Sequence, residues 1–140
     1  MASVEVFVDT AGFLALWDRG DEHHVRAVKL QKKLAGAKRR FLTTDYVLDE
    51  TATLLLLRHS HAAAVDFLDT MEKTQFVRME WTDSLRFFTA AALFRRHADK
   101  EWSFTDCLSF AVMKEFGVRD AFTTDHHFRQ AGLVPLLGAR

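Results

Sequence analysis

The 140 residues are 49% hydrophobic and include thirteen phenylalanines, ample for one self-sufficient core and far from the composition of a disordered chain. Nineteen Lys and Arg balance nineteen Asp and Glu, so net charge offers no long-range attraction to a polyanion and any nucleic-acid contact has to be local. The lone cysteine, Cys107, excludes an internal disulfide and a multi-cysteine zinc site; no basic segment precedes a long apolar stretch, and no uncharged run approaches the ~20 residues that cross a bilayer, so a cytoplasmic protein without a membrane span is expected.

In chain order, an apolar strand over 4–8 ends at Asp9, and helical patterns follow over 11–18 and 22–36. The second helix runs into Lys29, Lys32, Lys33, Lys38, Arg39 and Arg40, a charge run read as a solvated face followed by a loop. A strand over about 40–43 leads to a helix over 44–58, in which Glu50 interrupts Val47-Leu48 and Leu54-Leu55-Leu56-Leu57. A helix over 61–74 and a strand over 76–80 come next. The helix over 83–98, capped by Thr82 or Asp83, carries Phe87, Phe88 and Phe94, which with Trp81 read as core or dimer surface. The helix over 103–116, opened by Ser103 and stopped by Gly117, carries Asp106 and a thiol, Cys107, expected in the core. A strand over 120–123 ends near Asp125, followed by a helix over 126–131 and a strand over 133–137. Strands alternating with helices predict an α/β fold with a largely parallel sheet covered on both faces. With one proline, no Gly/Ser-rich linker and no repeat, residues 1–140 read as a single domain.

Four acids stand where a soluble chain rarely puts them: Asp9 and Asp125 just after apolar strands, Glu50 and Asp106 on helix stripes that otherwise pack inward. In an open parallel sheet the ligand crevice lies beyond the carboxyl ends of the strands, where the strand order reverses. If the fold gathers the four, they repel: two like charges about 4 Å apart cost on the order of 4 kcal/mol at an effective dielectric near 20. No Lys or Arg lies within three residues of Asp9, Glu50, Asp106 or Asp125, so a bound cation is the simplest balance. Oxygen-only ligands select Mg²⁺ or Mn²⁺ over zinc, and such ions activate water and neutralise phosphate during in-line displacement.

Phe7-Val8-Asp9-Thr10-Ala11-Gly12-Phe13-Leu14, Leu48-Asp49-Glu50-Thr51, Trp102-Ser103-Phe104-Thr105-Asp106-Cys107-Leu108-Ser109-Phe110 and Phe122-Thr123-Thr124-Asp125-His126-His127-Phe128 resemble, in order, the motifs of PIN-domain ribonucleases of the VapC toxin type. The resemblance spans 4–137. It implies a PIN-like fold, a five-stranded mostly parallel sheet with about seven helices on both faces, and Mg²⁺- or Mn²⁺-dependent endonucleolytic hydrolysis of RNA by metal-activated water. By that match Asp9 and Asp106 are the principal metal ligands, Glu50 and Asp125 complete the acidic site directly or through water, and Thr10 and Thr124 orient ligands or water. It also implies a homodimer, a cognate VapB-type antitoxin and the role of toxin in a type II toxin–antitoxin pair.

Each acid also has an ordinary reading. Asp9 and Asp125 could cap the helices they precede, Asp106 could be a first-turn acid favoured by the helix dipole, and Glu50 could face solvent like its neighbour Asp49. The pairs His23-His24 and His126-His127 stand about 100° apart on a helix, unlike the i, i+4 spacing that shares one ion, so no dedicated histidine metal site or histidine base is expected. A non-cleaving PIN-like RNA- or protein-binding module is the competing function, although a pure binder gains nothing from concentrated negative charge. A phosphoacceptor fits poorly, because Asp9-Thr10-Ala11 lacks a second acid two residues on.

Overall fold

The computed structural model describes residues 4–138. The elements run β1 (Glu5–Val8), α1 (Thr10–Trp17), α2 (His24–Gly36), β2 (Arg40–Thr44), α3 (Asp45–Arg58), α4 (His61–Lys73), β3 (Val77–Glu80), α5 (Ser84–Arg96), α6 (Phe104–Glu115), β4 (Asp120–Phe122), α7 (His126–Gln130) and β5 (Val134–Pro135). All twelve expected elements form, and the α/β reading holds. The largest departure is β5, expected over 133–137. Pro135 cannot donate to a ladder, so the pairing shrinks to two residues at the sheet edge, and the Leu136 and Leu137 amides reach the Ala121 and Thr123 carbonyls instead.

The sheet is parallel throughout, in the order β3-β2-β1-β4-β5. β1 is central, and its Val6, Phe7 and Val8 are all buried rather than alternating, as expected of a strand covered on both faces. Connections to β2 and β3 run one way from β1 and those to β4 and β5 the other, which for right-handed crossovers sends their helices to opposite faces. Order reverses between β1 and β4, so the crevice predicted for such sheets opens where Val8 and Phe122 end, with Asp9 and Thr123 the first residues beyond. Phe7, Leu42, Leu55, Phe67, Leu108, Met113, Phe122 and Phe128 fill the core on either side.

Gly12 holds that rim together. A Cβ there would lie 2.0 Å from the Phe122 carbonyl oxygen, so only glycine lets the first turn of α1 press against the end of β4. The basic run lies at the other end of the sheet. Arg39 donates to the Val4 carbonyl and pairs with Asp120 at 2.9 Å, at the amino ends of β1 and β4, while Lys29, Lys32, Lys33, Lys38 and Arg40 are exposed. It is the solvated face the sequence suggested.

Candidate active site

Asp9 occupies the N-cap position of α1, yet its side chain forms no capping bond. Its carboxylate is 4% exposed and accepts a 3.0 Å hydrogen bond at Oδ2 from the Thr123 hydroxyl, just past β4. The same hydroxyl accepts the Asp125 amide at 3.1 Å, so one threonine ties the ends of two adjacent strands together. Burial first, and then the charge of Asp106, push the Asp9 carboxyl up from 3.8 to about 7; the Thr123 hydroxyl and Thr10 amide pull against this, and Asp125 adds a further push.

Asp106 comes from the first turn of α6. Ser103 and Asp106 form a reciprocal capping box: the Asp106 amide donates to the Ser103 hydroxyl and the Ser103 amide to Asp106 Oδ2, both at 3.0 Å. This fixes the carboxylate, 7% exposed, at the crevice. Its pKa is raised, chiefly by burial and also by Asp125, against the Ser103 amide and His127. Asp125 caps α7 by accepting the His127 amide at 2.9 Å. For Asp106 and Asp125 the ordinary structural reading is therefore correct, and it is also what aims them.

Three of the four expected acids thus meet. Glu50 lies half-buried on α3, which packs against both α1 and α6, and its carboxylate enters no hydrogen bond or ion pair among the described residues; Asp49 is exposed beside it. Thr10 is 4% exposed, and among the described residues its hydroxyl is the buried side-chain polar atom left without a partner. The hydroxyl that links the Asp9 carboxylate to the Asp125 backbone amide is that of Thr123, and half-buried Thr124 takes no part in those bonds.

His127 stands beside two of these acids. His127 Nδ1 stands 3.2 Å from Asp106 Oδ2 and 3.4 Å from Asp125 Oδ1, and the ligand atoms of Asp125, His126 and His127 lie within 4.8 Å of one another. The signal for His127 was the cap itself: an N-cap acid accepts the amide two residues on, which brings the side chain at that position back over the carboxylate. No lysine or arginine forms an ion pair with Asp9, Asp106 or Asp125 among the described residues. Crowded carboxylates, an unpartnered buried hydroxyl and no arginine make a donor set that fits a hard divalent cation.

Residues 6–133 match the family model of the PIN domain. The chain belongs to the PIN-domain family. This PIN domain is 36% identical over 129 residues to the 23S rRNA-specific endonuclease VapC20 of Mycobacterium tuberculosis, covering 92% of this chain and 95% of that protein. It is 28% identical over 114 residues to a VapC ribonuclease of Archaeoglobus fulgidus, covering 80% and 72%. The crystal structure of Mycobacterium tuberculosis VapC20, described as a sarcin-ricin loop cleaving toxin, superposes with a TM-score of 0.84 over 94% of this chain and 98% of the other, at 36% identity. The PIN-like architecture expected from the motifs is what the PIN domain has. None of its described helices is long and apolar enough to cross a membrane.

Proposed function

We propose that this PIN domain is an Mg²⁺- or Mn²⁺-dependent endoribonuclease, the toxin of a type II toxin–antitoxin pair, with residues 1–140 acting as one domain in the cytoplasm. The observation that carries the reading is the meeting of Asp9, Asp106 and Asp125 at the strand-order reversal without an arginine or lysine to neutralise them. The VapC relatives, named as ribonucleases over most of both chains, support it.

Asp9, Asp106 and Asp125 would hold the cation, with Glu50 reaching it directly or through water; Thr10 and Thr124 lie beside these ligands. A divalent ion bound there supplies a water of lowered pKa and neutralises charge on the scissile phosphate. The chain's own part is to hold the carboxylates in place: Thr123 fixes Asp9, the Ser103 capping box fixes Asp106, and the His127 amide fixes Asp125. Burial of Asp9 and Asp106 keeps bulk water from screening them. Since one relative bears the name of a 23S rRNA-specific endonuclease, ribosomal RNA is the first substrate to offer.

Homodimerisation and capture by a VapB-type antitoxin are part of the proposal. Trp81, Leu85 and Phe88, between 66% and 74% exposed around the start of α5, and Leu56 and Leu57 on α3 leave apolar surface for such partners. Purified protein should cut RNA only with Mg²⁺ or Mn²⁺, stop on chelation, and lose at least about 100-fold in rate as Asp9→Asn or Asp106→Asn. Parent-like cleavage by both folded variants would end the assignment.

A further inference from the structure

We infer that the imidazole of His127 is itself a ligand of the divalent cation, through Nδ1 and alongside Asp106 and Asp125, and that it tilts the site toward Mn²⁺ over Mg²⁺. The inference deepens the proposed cation-dependent reading and rests on it.

His127 is a nitrogen donor set among oxygens. Its Nδ1 faces two carboxylates at once, 3.2 Å from Asp106 Oδ2 and 3.4 Å from Asp125 Oδ1. The first is within reach of a hydrogen bond if Nδ1 carries the proton, and the second is longer than such bonds close to. Both are near the spacing of ligands that share an ion: neighbouring donors around an octahedral cation at about 2.1 Å lie about 3.0 Å apart. A single Nδ1–H could satisfy one carboxylate only, whereas a cation between the three satisfies all of them, with the ring hydrogen on Nε2.

The ring is also held. Its side chain is 19% exposed, its amide donates to Asp125 Oδ1 at 2.9 Å, and the next residue, Phe128, is fully buried against Phe7 and Phe110. A ligand locked in place this way costs little entropy on binding. His126 is the weaker donor: its side chain is 75% exposed and its Nδ1 stands 3.8 Å from Asp125 Oδ1. Both ions favour oxygen donors, but Mg²⁺ holds to them and to octahedral waters more strictly than Mn²⁺, a first-row transition ion, so one nitrogen among carboxylates favours Mn²⁺ relative to Mg²⁺.

The test is Mn²⁺ alone, added to the full chain without RNA, with pulsed electron paramagnetic resonance for ¹⁴N coupling and calorimetry for affinity. A directly bound imidazole nitrogen should appear in the parent and in His126→Ala and vanish in His127→Ala. In the latter, Mn²⁺ affinity should fall about tenfold or more while Mg²⁺ affinity changes less than about threefold. Mn²⁺ bound in the parent without nitrogen coupling, or coupling that survives in His127→Ala, overturns the inference and leaves the carboxylate site standing. Absence of any Mn²⁺ binding that depends on Asp9 and Asp106 overturns both. If His127→Ala does not fold, the parent and His126→Ala spectra together decide the question, since His126 is the other histidine grouped with Asp125 among the described residues.

Discussion

Replacing Asp9 by asparagine should stabilise the cation-free protein at pH 8 while removing its response to cation. In the fold the Asp9 carboxyl sits at about 7, against 3.8 for an ordinary aspartate, because burial and then the Asp106 charge oppose its ionisation. The folded pKa lies above the unfolded one, so the folded chain holds a proton that the unfolded chain has released. Stability from this group is full below about pH 3.8 and is lost as pH rises through 7. A gap of about three units at 1.36 kcal/mol each amounts to roughly 4 kcal/mol, of which roughly 2–3 kcal/mol disappears between pH 5 and pH 8. Asp106 is shifted the same way and adds to the loss.

Asparagine keeps an oxygen for the Thr123 hydroxyl and sacrifices no helix cap, since Asp9 forms no capping bond. Urea melts with chelator at pH 5, 6.5 and 8 should show the parent losing stability upward in pH. Asp9→Asn should lose less, exceeding the parent at pH 8 by on the order of 2–4 kcal/mol. Mn²⁺ at a hundred times its dissociation constant should return about 2.7 kcal/mol to the parent and nothing to the variant. A parent whose stability is flat or rising from pH 5 to pH 8, or an Asp9→Asn protein weaker than the parent at pH 8 without cation, would refute the reasoning.

Gly12→Ala forces a methyl onto the Phe122 carbonyl and should cost about 3 kcal/mol in thermal melts and weaken Asp9-dependent Mn²⁺ binding; a cost under about 0.5 kcal/mol would show that α1 does not need its close seat. Thr123→Val removes both the donor to Asp9 and the acceptor of the Asp125 amide and should cost about 1–3 kcal/mol, whereas Thr124→Val should cost well under half as much; equal losses would contradict the hydrogen bonding described. Cys107 is fully buried and its thiol is pushed up to about 11, by burial first and by Asp106 second, so alkylation by iodoacetamide at pH 8 should run on the order of 100-fold slower in the folded protein than in urea; comparable rates would mean that α6 opens freely.

The chain announced its fold because its strands are short continuous apolar runs separated by helix-length patterns, with Ser103 and Gly117 marking the ends of α6. Asp9, Asp106 and Asp125 were legible for the same reason: each acid ends or interrupts an apolar run. The choice between Thr123 and Thr124 was not, because it turns on where β4 stops. The strand ends at Phe122 rather than at 123, so Thr123 is the first residue free to turn its hydroxyl to the rim. His127 was weighed only against His126 at helical spacing, whereas the contact that places it is with Asp125, a cap outside the helix, where the 100° step does not hold. Glu50 depends on how α3 packs against α1 and α6, which no local pattern reports.

For Asp106 and Asp125 the two readings, cap or ligand, do not exclude each other, because the capping bond is also what places the carboxylate. A carboxylate on a flexible stem would move away from its neighbours to escape repulsion, and a cation site needs the opposite. Asp106 is held by the Ser103 amide and Asp125 by the His127 amide, bonds to backbone that the helix starts would otherwise leave unsatisfied, so repulsion cannot disperse the cluster without unravelling α6 and α7 at their first turns. Asp9 has no such bond from its own helix and is held instead by Thr123 from the neighbouring strand and by the close seat that Gly12 permits. In the proposed reading the carboxylates are thereby assembled before a cation would bind, and the cost of keeping them so is the destabilisation at high pH that Asp9→Asn should relieve.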